Sequence, residues 1–309
     1  MAVSSERVAG VSSNQTYRQA AQRVLRASLS EVMHWLPRAV LEGGGKDDEV
    51  VHRLRVASRR AVQAVRVFSD LIGERKAERL RQQLREIRKA ADDARNYDVL
   101  LAQFESSGNG TADSIRAKIA ERIRAGRRDV QRPMAAVYQH LTKAHFNQEI
   151  REVLSHLGAK QKLLAERLFG AHAPLRLSPV VKKFFKAARG KISDDGELHR
   201  LRIEAKKLRY TIEIVASAFG PDFSDKLYRK LCEYQDVMGA IRDHTMARDL
   251  FQTLLNETAD PVEHAYIEGM LFSEDRARTD LIKSFEALWT RKAIARLERQ
   301  FELYCGGSR

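Results

Sequence analysis

The chain has 309 residues, 43% hydrophobic and 31% charged, so it can bury a sizeable core as one large or two small domains and is not a disordered protein. Its 55 lysines and arginines against 41 acidic residues give a formal net charge of +14, which predicts a polyanionic partner such as nucleic acid, an acidic membrane or a phosphate polymer. Cys232 and Cys305 have neither metal-ligand spacing nor a disulfide framework, as is typical of a reducing cytoplasm.

Helical periodicity runs through the first half of the chain. Its apolar residues predict helices over residues 14–35, 51–68, 75–104 and 111–132, with helical periodicity continuing to residue 157. A glycine-rich connector at 41–46, Gly73, a loop at 106–110 and Pro133 are the expected breaks.

The second half has the same character. It is predicted to open after Pro174 and Pro179, and its helices fall at 180–189, 198–215, 223–256 and from Pro261 toward Tyr304. The expected breaks are a turn at 193–196 and the pair Gly220-Pro221. No run of alternating β-branched residues occurs, so the sequence predicts an all-α fold of antiparallel helical bundles, with four or five helices in each half.

The segment at 51–68, VHRLRVASRRAVQAVRVF, returns at 198–215 as LHRLRIEAKKLRYTIEIV. An offset of 147 residues relates His52 to His199 and, without any gap, Phe104 to Phe251. This pattern predicts an internal repeat within one domain. The predicted boundaries are residues 10–305 for the domain, about 12–158 for the first repeat and about 176–305 for the second.

Each copy of the repeated helix has a cationic stripe opposite an apolar stripe. At 100° per residue, Arg55, Arg59 and Arg66 fall within about 60° of His52. The second copy repeats this order with His199, Arg202, Lys206 and Arg209. A solvated face would explain either stripe alone, but the same layout in two diverged copies favours a binding site.

Both stripes begin where a helix disfavours positive charge. Acidic residues that include Asp47, Asp48 and Asp194 precede the histidines and are expected to cap each helix. Cations near a helix N-terminus oppose the macrodipole, whereas a bound anion is stabilised there. Cations occur at this unfavourable position in both copies, which indicates an anion-binding site.

A second pair of basic residues follows each histidine by 43 residues. Arg95 and Arg242 are predicted to lie on the helix that returns antiparallel to the stripe, where each can join the basic cluster beside an acidic neighbour. The candidates for that neighbour are Asp98 and Asp243. An ordinary ion pair on the bundle surface explains them equally well.

Together these segments resemble the CHAD family, the conserved histidine α-helical domain. The resemblance covers about residues 15–304 and rests on the HxxRxxxRR-like segments with the Leu-Arg-Tyr at 208–210. It implies two pseudo-symmetric bundles around a basic central cavity that binds inorganic polyphosphate. The chain departs from the family pattern at Ala91-Asp92, which replaces Leu-Gly, and at Asn96, which replaces Asp.

The predicted function is polyphosphate binding without catalysis. The expected binding residues are His52, Arg55, Arg59, Arg60, Arg66, Arg95, His199, Arg202, Lys206, Lys207, Arg209 and Arg242. No catalytic residue, metal site or cofactor is expected, since the sequence has no Walker-type loop and no HExxH segment. Sequence-independent nucleic-acid binding and a metal-dependent phosphate enzyme are the alternatives.

The expected location is the cytoplasm, including association with polyphosphate granules. No apolar run approaches the roughly 20 residues of a membrane span, and the first residues lack a signal-peptide core.

Overall fold

A computed structural model of the chain describes residues 10–42, 49–106, 113–220 and 223–305. Its α-helices are, in order, α1 Tyr17–Glu42, α2 Glu49–Val67, α3 Ser69–Ile72, α4 Glu74–Ser106, α5 Asp113–Asp129, α6 Gln131–Lys143, α7 Phe146–Ser155, α8 Lys162–Ala165, α9 Phe169–Ala188, α10 Asp195–Val215, α11 Arg229–Asn256, α12 Pro261–Leu288 and α13 Arg291–Glu302. A 3₁₀-helix at Ala216–Ala218 follows α10, and a π-helix at Phe223–Tyr228 precedes α11. These ranges contain no strand, so the predicted all-α class is confirmed.

Consecutive long helices pack as antiparallel pairs. The Tyr17 hydroxyl at the start of α1 donates to the Val67 carbonyl at the end of α2, at 2.9 Å. At the other end of the pair, the Arg53 guanidinium lies 5.1 Å from the ring centroid of Trp35. Helix α2 also packs against α4, α9 against α10, and α11 against α12. Across the chain, α2 contacts α10 and α4 contacts α11.

The main core is built from the apolar stripes of the repeated helices. Leu54 and Val65 of α2 are buried, as are Leu201 and Leu208 of α10. Fully burying a side chain of this size stabilises a fold by about 1.5–3 kcal/mol. The predicted apolar stripes therefore set which faces of α2 and α10 turn inward, and the cationic stripes lie beside them.

A second apolar cluster joins α4 and α5 to α11 and α12. Its centre is Phe104 against Phe251, whose ring centroids are 6.2 Å apart. Leu100, Ile123 and Ile267 are buried around this pair. Phe104 and Phe251 are related by the 147-residue offset, so the same position in each half of the sequence supplies this contact.

The structure places several helix boundaries differently from the sequence prediction. The helix predicted over 111–132 ends at Asp129, before Pro133, and Pro133 lies in the first turn of α6, where its missing N–H costs little. The periodicity predicted to residue 157 is interrupted at His145, which has a φ of 54°. The last helical stretch is divided at Trp289 and Thr290, and the Thr290 hydroxyl caps α13.

The second half does not open with a short helix at 180–189. Instead α9 starts at Phe169 and continues through Pro174 and Pro179. Both prolines remove a helical hydrogen bond. Burial of Phe169, Leu177 and Phe184 offsets that loss, because these side chains lie on one face and pack into the core.

Other predicted features differ in extent or fall outside the described residues. Helix α1 extends past the predicted end at residue 35 and includes Pro37. Helix α10 begins at Asp195, three residues before the predicted 198–215 helix, and ends with it at Val215. Gly43 to Gly45, Asp47 and Asp48, and most of the predicted loop at 106–110 are not among the described residues. Of the helices in the described ranges, none combines the length and apolar character needed to cross a membrane.

Candidate anion-binding site

The cationic stripes of α2 and α10 face each other. At the contact between the helices, the Gln63 side-chain amide donates to the Thr211 hydroxyl at 2.7 Å. Near this contact Arg59 lies beside Lys206, its counterpart at the 147-residue offset. The structure thus brings together stripes that lie in different halves of the sequence.

Basic residues from both stripes and from the returning helices form one group, called here the central cluster. Its members are His52, Arg55, Arg59, Arg95, His199, Arg202, Lys206 and Arg242. Helices α2 and α10 supply the stripe residues, whereas α4 and α11 supply Arg95 and Arg242. Arg95 and Asp243 also line one small cavity with Arg55, so residues from both halves of the sequence meet here.

Asp92 of α4 holds the two arginines of α2. The Nε atom of Arg55 and a terminal nitrogen of Arg59 each donate to Asp92 Oδ1 at 2.6 Å. Both arginine side chains are largely enclosed, with 18% and 14% of their surfaces exposed. One carboxylate accepts from two guanidinium groups. The cluster residues that come from the first half of the sequence therefore keep a net positive charge.

Arg202 and Lys206 lie among these arginines without an acidic group at ion-pair distance in the described part of the chain. The Nε atom of Arg202 is buried and has no hydrogen-bond partner among the described residues. Burial, followed by repulsion from Arg59, lowers the pKa of Arg202 to about 10 and that of Lys206 to about 5. Arg202 therefore stays charged at pH 7, with Asp243 as the acid that opposes the shift of its pKa, whereas Lys206 is mostly neutral. A bound anion would offset the cost of enclosing positive charge here.

The two histidines lie at the start of their helices, as predicted. Asp194 caps α10 by accepting a hydrogen bond from the Glu197 backbone N–H at 2.8 Å. Burial and then Arg95 lower the pKa of His52, and burial and then Arg242 lower that of His199. The lowered pKa values favour the neutral form of both imidazoles, in which each ring can donate one N–H to an anion.

The remaining predicted residues lie in two other places. Arg60 and Arg209 each donate from Nε to a different oxygen of Glu213, at 3.2 Å. Arg66 and Lys207 line a separate cavity of about 400 Å³ between α2, α4, α9 and α10. The structure thus divides the predicted binding residues among the central cluster, a carboxylate-bound pair of arginines and a second cavity.

Two acidic residues of this region were not predicted to take part. Asp92 lies three residues before Arg95 on α4, a spacing that places both on one face and could have identified it. Glu213 lies on α10 four residues after Arg209, which is the spacing of a helical ion pair. In the described ranges, no group of three or more His, Cys, Asp or Glu side chains is placed to hold a metal ion.

Comparison with known proteins agrees with this architecture. The CHAD domain family model matches residues 23–252. The crystal structure of the CHAD domain from the plant Ricinus communis superposes with a TM-score of 0.65 at 18% identity, covering 98% of this chain and 96% of that one. PptA from Streptomyces chartreusis superposes with a TM-score of 0.58 at 16% identity, covering 89% and 99%.

At these identities the superpositions establish the fold, and no curated protein matches the sequence. The family assignment rests on the family model, whose match begins in α1, ends in α11 and includes both cationic stripes. The chain belongs to the CHAD domain family.

Proposed function

We propose that this protein binds inorganic polyphosphate at the central cluster. The observation that carries the proposal is the position of Arg202 and Lys206, which lie among Arg55 and Arg59 without a carboxylate at ion-pair distance in the described ranges. Polyphosphate carries about one negative charge per phosphate along its length. Forked arginine donors and a lysine along a groove match that repeating charge.

The residue types in the cluster favour a phosphate polymer over a nucleic acid. Proteins that bind single-stranded nucleic acid stack bases on aromatic side chains. Helix α2 contains no aromatic residue, and α10 contains Tyr210 alone. Acidic residues that could hold Mg²⁺ beside the phosphates are also scarce there, because Asp92 is already bound by two arginines. We therefore propose a binding module rather than a phosphate-cleaving enzyme.

Equilibrium binding of labelled long-chain polyphosphate tests this function. Replacing Arg59 or Arg202 by Ala should weaken binding by about 1.5–3 kcal/mol, the range for a hydrogen bond to a charged group. Arg200→Ala is the matched control, because Arg200 lies on the same helix as Arg202 with 64% of its side chain exposed. Its loss should stay below about 1 kcal/mol. Equal losses in the three variants would mean that net charge alone drives binding.

Competition separates the alternatives. Single-stranded DNA at equal phosphate concentration should displace little polyphosphate, and no phosphate should be released with or without Mg²⁺. Efficient displacement would favour nucleic-acid binding, and metal-dependent phosphate release would favour an enzyme. The logarithm of the affinity should also fall with the logarithm of salt concentration, by about 0.7 per phosphate contact if single-strand behaviour applies.

The cytoplasmic and granule location belongs to the same proposal. A fluorescent fusion should concentrate on polyphosphate granules in cells that make them and spread evenly in cells that cannot. The Arg59→Ala and Arg202→Ala double variant should lose this concentration.

A further inference from the structure

The two copies of the repeated helix differ in charge at one buried position. The 147-residue offset relates Arg66 of α2 to Glu213 of α10, and Arg60 of α2 to Lys207 of α10. Glu213 accepts from Arg60 at 3.2 Å, so an ion pair fills one side of the contact between α2 and α10. At the corresponding place on the other side, Arg66 and Lys207 are both cations and line the cavity of about 400 Å³.

The surroundings of these two positions correspond as well. Tyr228, which donates its hydroxyl to Glu213 at 2.8 Å, is the offset counterpart of Arg81. Arg81 lies beside Arg66, and burial followed by Arg81 lowers the pKa of Arg66. The same framework thus surrounds an anion, Glu213, in one copy and a cation, Arg66, in the other.

The cavity beside Arg66 has an excess of positive charge. Its acidic residues are already engaged: Glu78 accepts from Arg81 and Arg85, and Glu204 accepts from Lys207. Arg66 itself has the Gln63 side-chain oxygen at 3.4 Å and, in the described residues, no carboxylate at ion-pair distance. Arg176 and Lys183 line the cavity from α9. Arg176 forms an ion pair with Asp70, and its Nε atom is buried without a hydrogen-bond partner among those residues.

We propose that this cavity is a second anion site, distinct from the central cluster, which binds a compact polyphosphate group such as a triphosphate. The volume lies within the range of small-molecule pockets. Multiply charged phosphate oxygens would give Arg66 the negative partner that Glu213 gives Arg60 in the other copy, and would give Lys207 a second partner beside Glu204. Val67 and Val180 also line the cavity, beside the cations.

Arg66→Glu is the informative variant, because it places at this position the residue that the other copy already carries. The new carboxylate should pair with Lys207 and fill the site in the manner of Arg60 and Glu213. Calorimetric titration with inorganic tripolyphosphate should resolve two classes of site in the wild-type protein. Arg66→Glu should weaken one class at least about tenfold, the loss expected for a charged hydrogen bond.

Independent variants distinguish this site from the proposed function. Arg59→Ala should weaken the other class of site, and its failure to do so would count against polyphosphate binding at the central cluster. Unchanged tripolyphosphate binding in both Arg66→Glu and Arg66→Gln would overturn the second site. Circular dichroism melting checks the fold, and Arg66→Gln, which removes the charge alone, provides the test if Arg66→Glu unfolds.

The same assay distinguishes the end of a long polyphosphate from a free short phosphate as the ligand of this cavity. Long-chain polyphosphate added to the Arg59→Ala variant at an equal concentration of chain ends should compete with tripolyphosphate if the cavity accepts the end of a polymer. Lack of competition would assign the site to free short phosphates. In either case tripolyphosphate binding must depend on Arg66.

Discussion

Binding of polyphosphate is expected to deliver a proton to Lys206. In the free protein this amine lies beside Arg59, Arg55 and Arg202, and burial followed by these charges lowers its pKa to about 5. Asp92 is the one acid that opposes this shift among the groups acting most strongly on it. At pH 7 a group with that pKa is protonated in about one molecule in a hundred.

Phosphate oxygens next to Lys206 would favour its charged form and raise its pKa toward that of an ordinary lysine. Each binding event at pH 7 should therefore take up close to one proton. By linkage, affinity should rise about tenfold for each unit by which the pH falls, from the pKa in the complex down to about 5. From pH 8 to pH 6 the expected gain from Lys206 is about a hundredfold.

Calorimetry in buffers of different ionisation enthalpy measures this uptake directly. The Lys206→Met variant keeps the length and bulk of the side chain but cannot titrate, so it should lose the uptake and most of the pH dependence. The free wild-type protein should also become more stable as pH rises from about 5, because the unfolded chain holds the Lys206 proton more tightly. Equal proton uptake by wild type and Lys206→Met would refute the reasoning, because Lys206 would then be charged before the ligand arrives.

Three further outcomes are expected. Asp92→Asn should make polyphosphate bind roughly tenfold more tightly, since it frees two guanidinium groups, while lowering the free energy of unfolding by about 1–3 kcal/mol in chemical denaturation. Arg127→Ala should lower the free energy of unfolding by about 3–5 kcal/mol, because it breaks the enclosed ion pair with Asp98 at 2.6 Å, and its effect on binding should follow the loss of folded protein. In the free protein, the double variant His52→Gln, His199→Gln should lose less stability than wild type as pH falls from about 7 to 5. Both histidines have lowered pKa values, so the unfolded chain binds their protons more tightly than the folded protein does. Melting temperatures across that pH range provide the comparison.

The periodicity and the repeat were sufficient to predict the all-α class and the orientation of the repeated helices. Leu54 and Leu208 are buried because the apolar stripe of each helix must pack inward, and this places the cationic stripe beside the contact between α2 and α10. The same reasoning failed for Pro174 and Pro179, because local helix-breaking preference is weaker than the burial of the aromatic face of α9.

The composition of the site was predicted in part. A helical projection identified Arg55, Arg59, Arg202 and Lys206, which do meet. It did not identify Asp92, which belongs to α4. The three-residue spacing from Asp92 to Arg95 was a signal for the position, but the contacts of Asp92 with Arg55 and Arg59 depend on tertiary packing. The projection also grouped Arg66 with the stripe, although Arg66 lies two turns beyond Arg59 and opens into a different cavity.

The meeting of Arg59 and Lys206, which are equivalent positions of the two copies, has a consequence for the direction in which a chain can enter the proposed binding site. A polymer bound along the central cluster would meet the cations of the two copies in a similar order from either end, although Asp92 of the first copy corresponds to Gly239 in the second. Inorganic polyphosphate has no polarity, so both directions of entry lead to the same complex and both contribute to the association rate. A nucleic-acid strand has distinct 5′ and 3′ ends, so its two orientations would form different complexes at the central cluster.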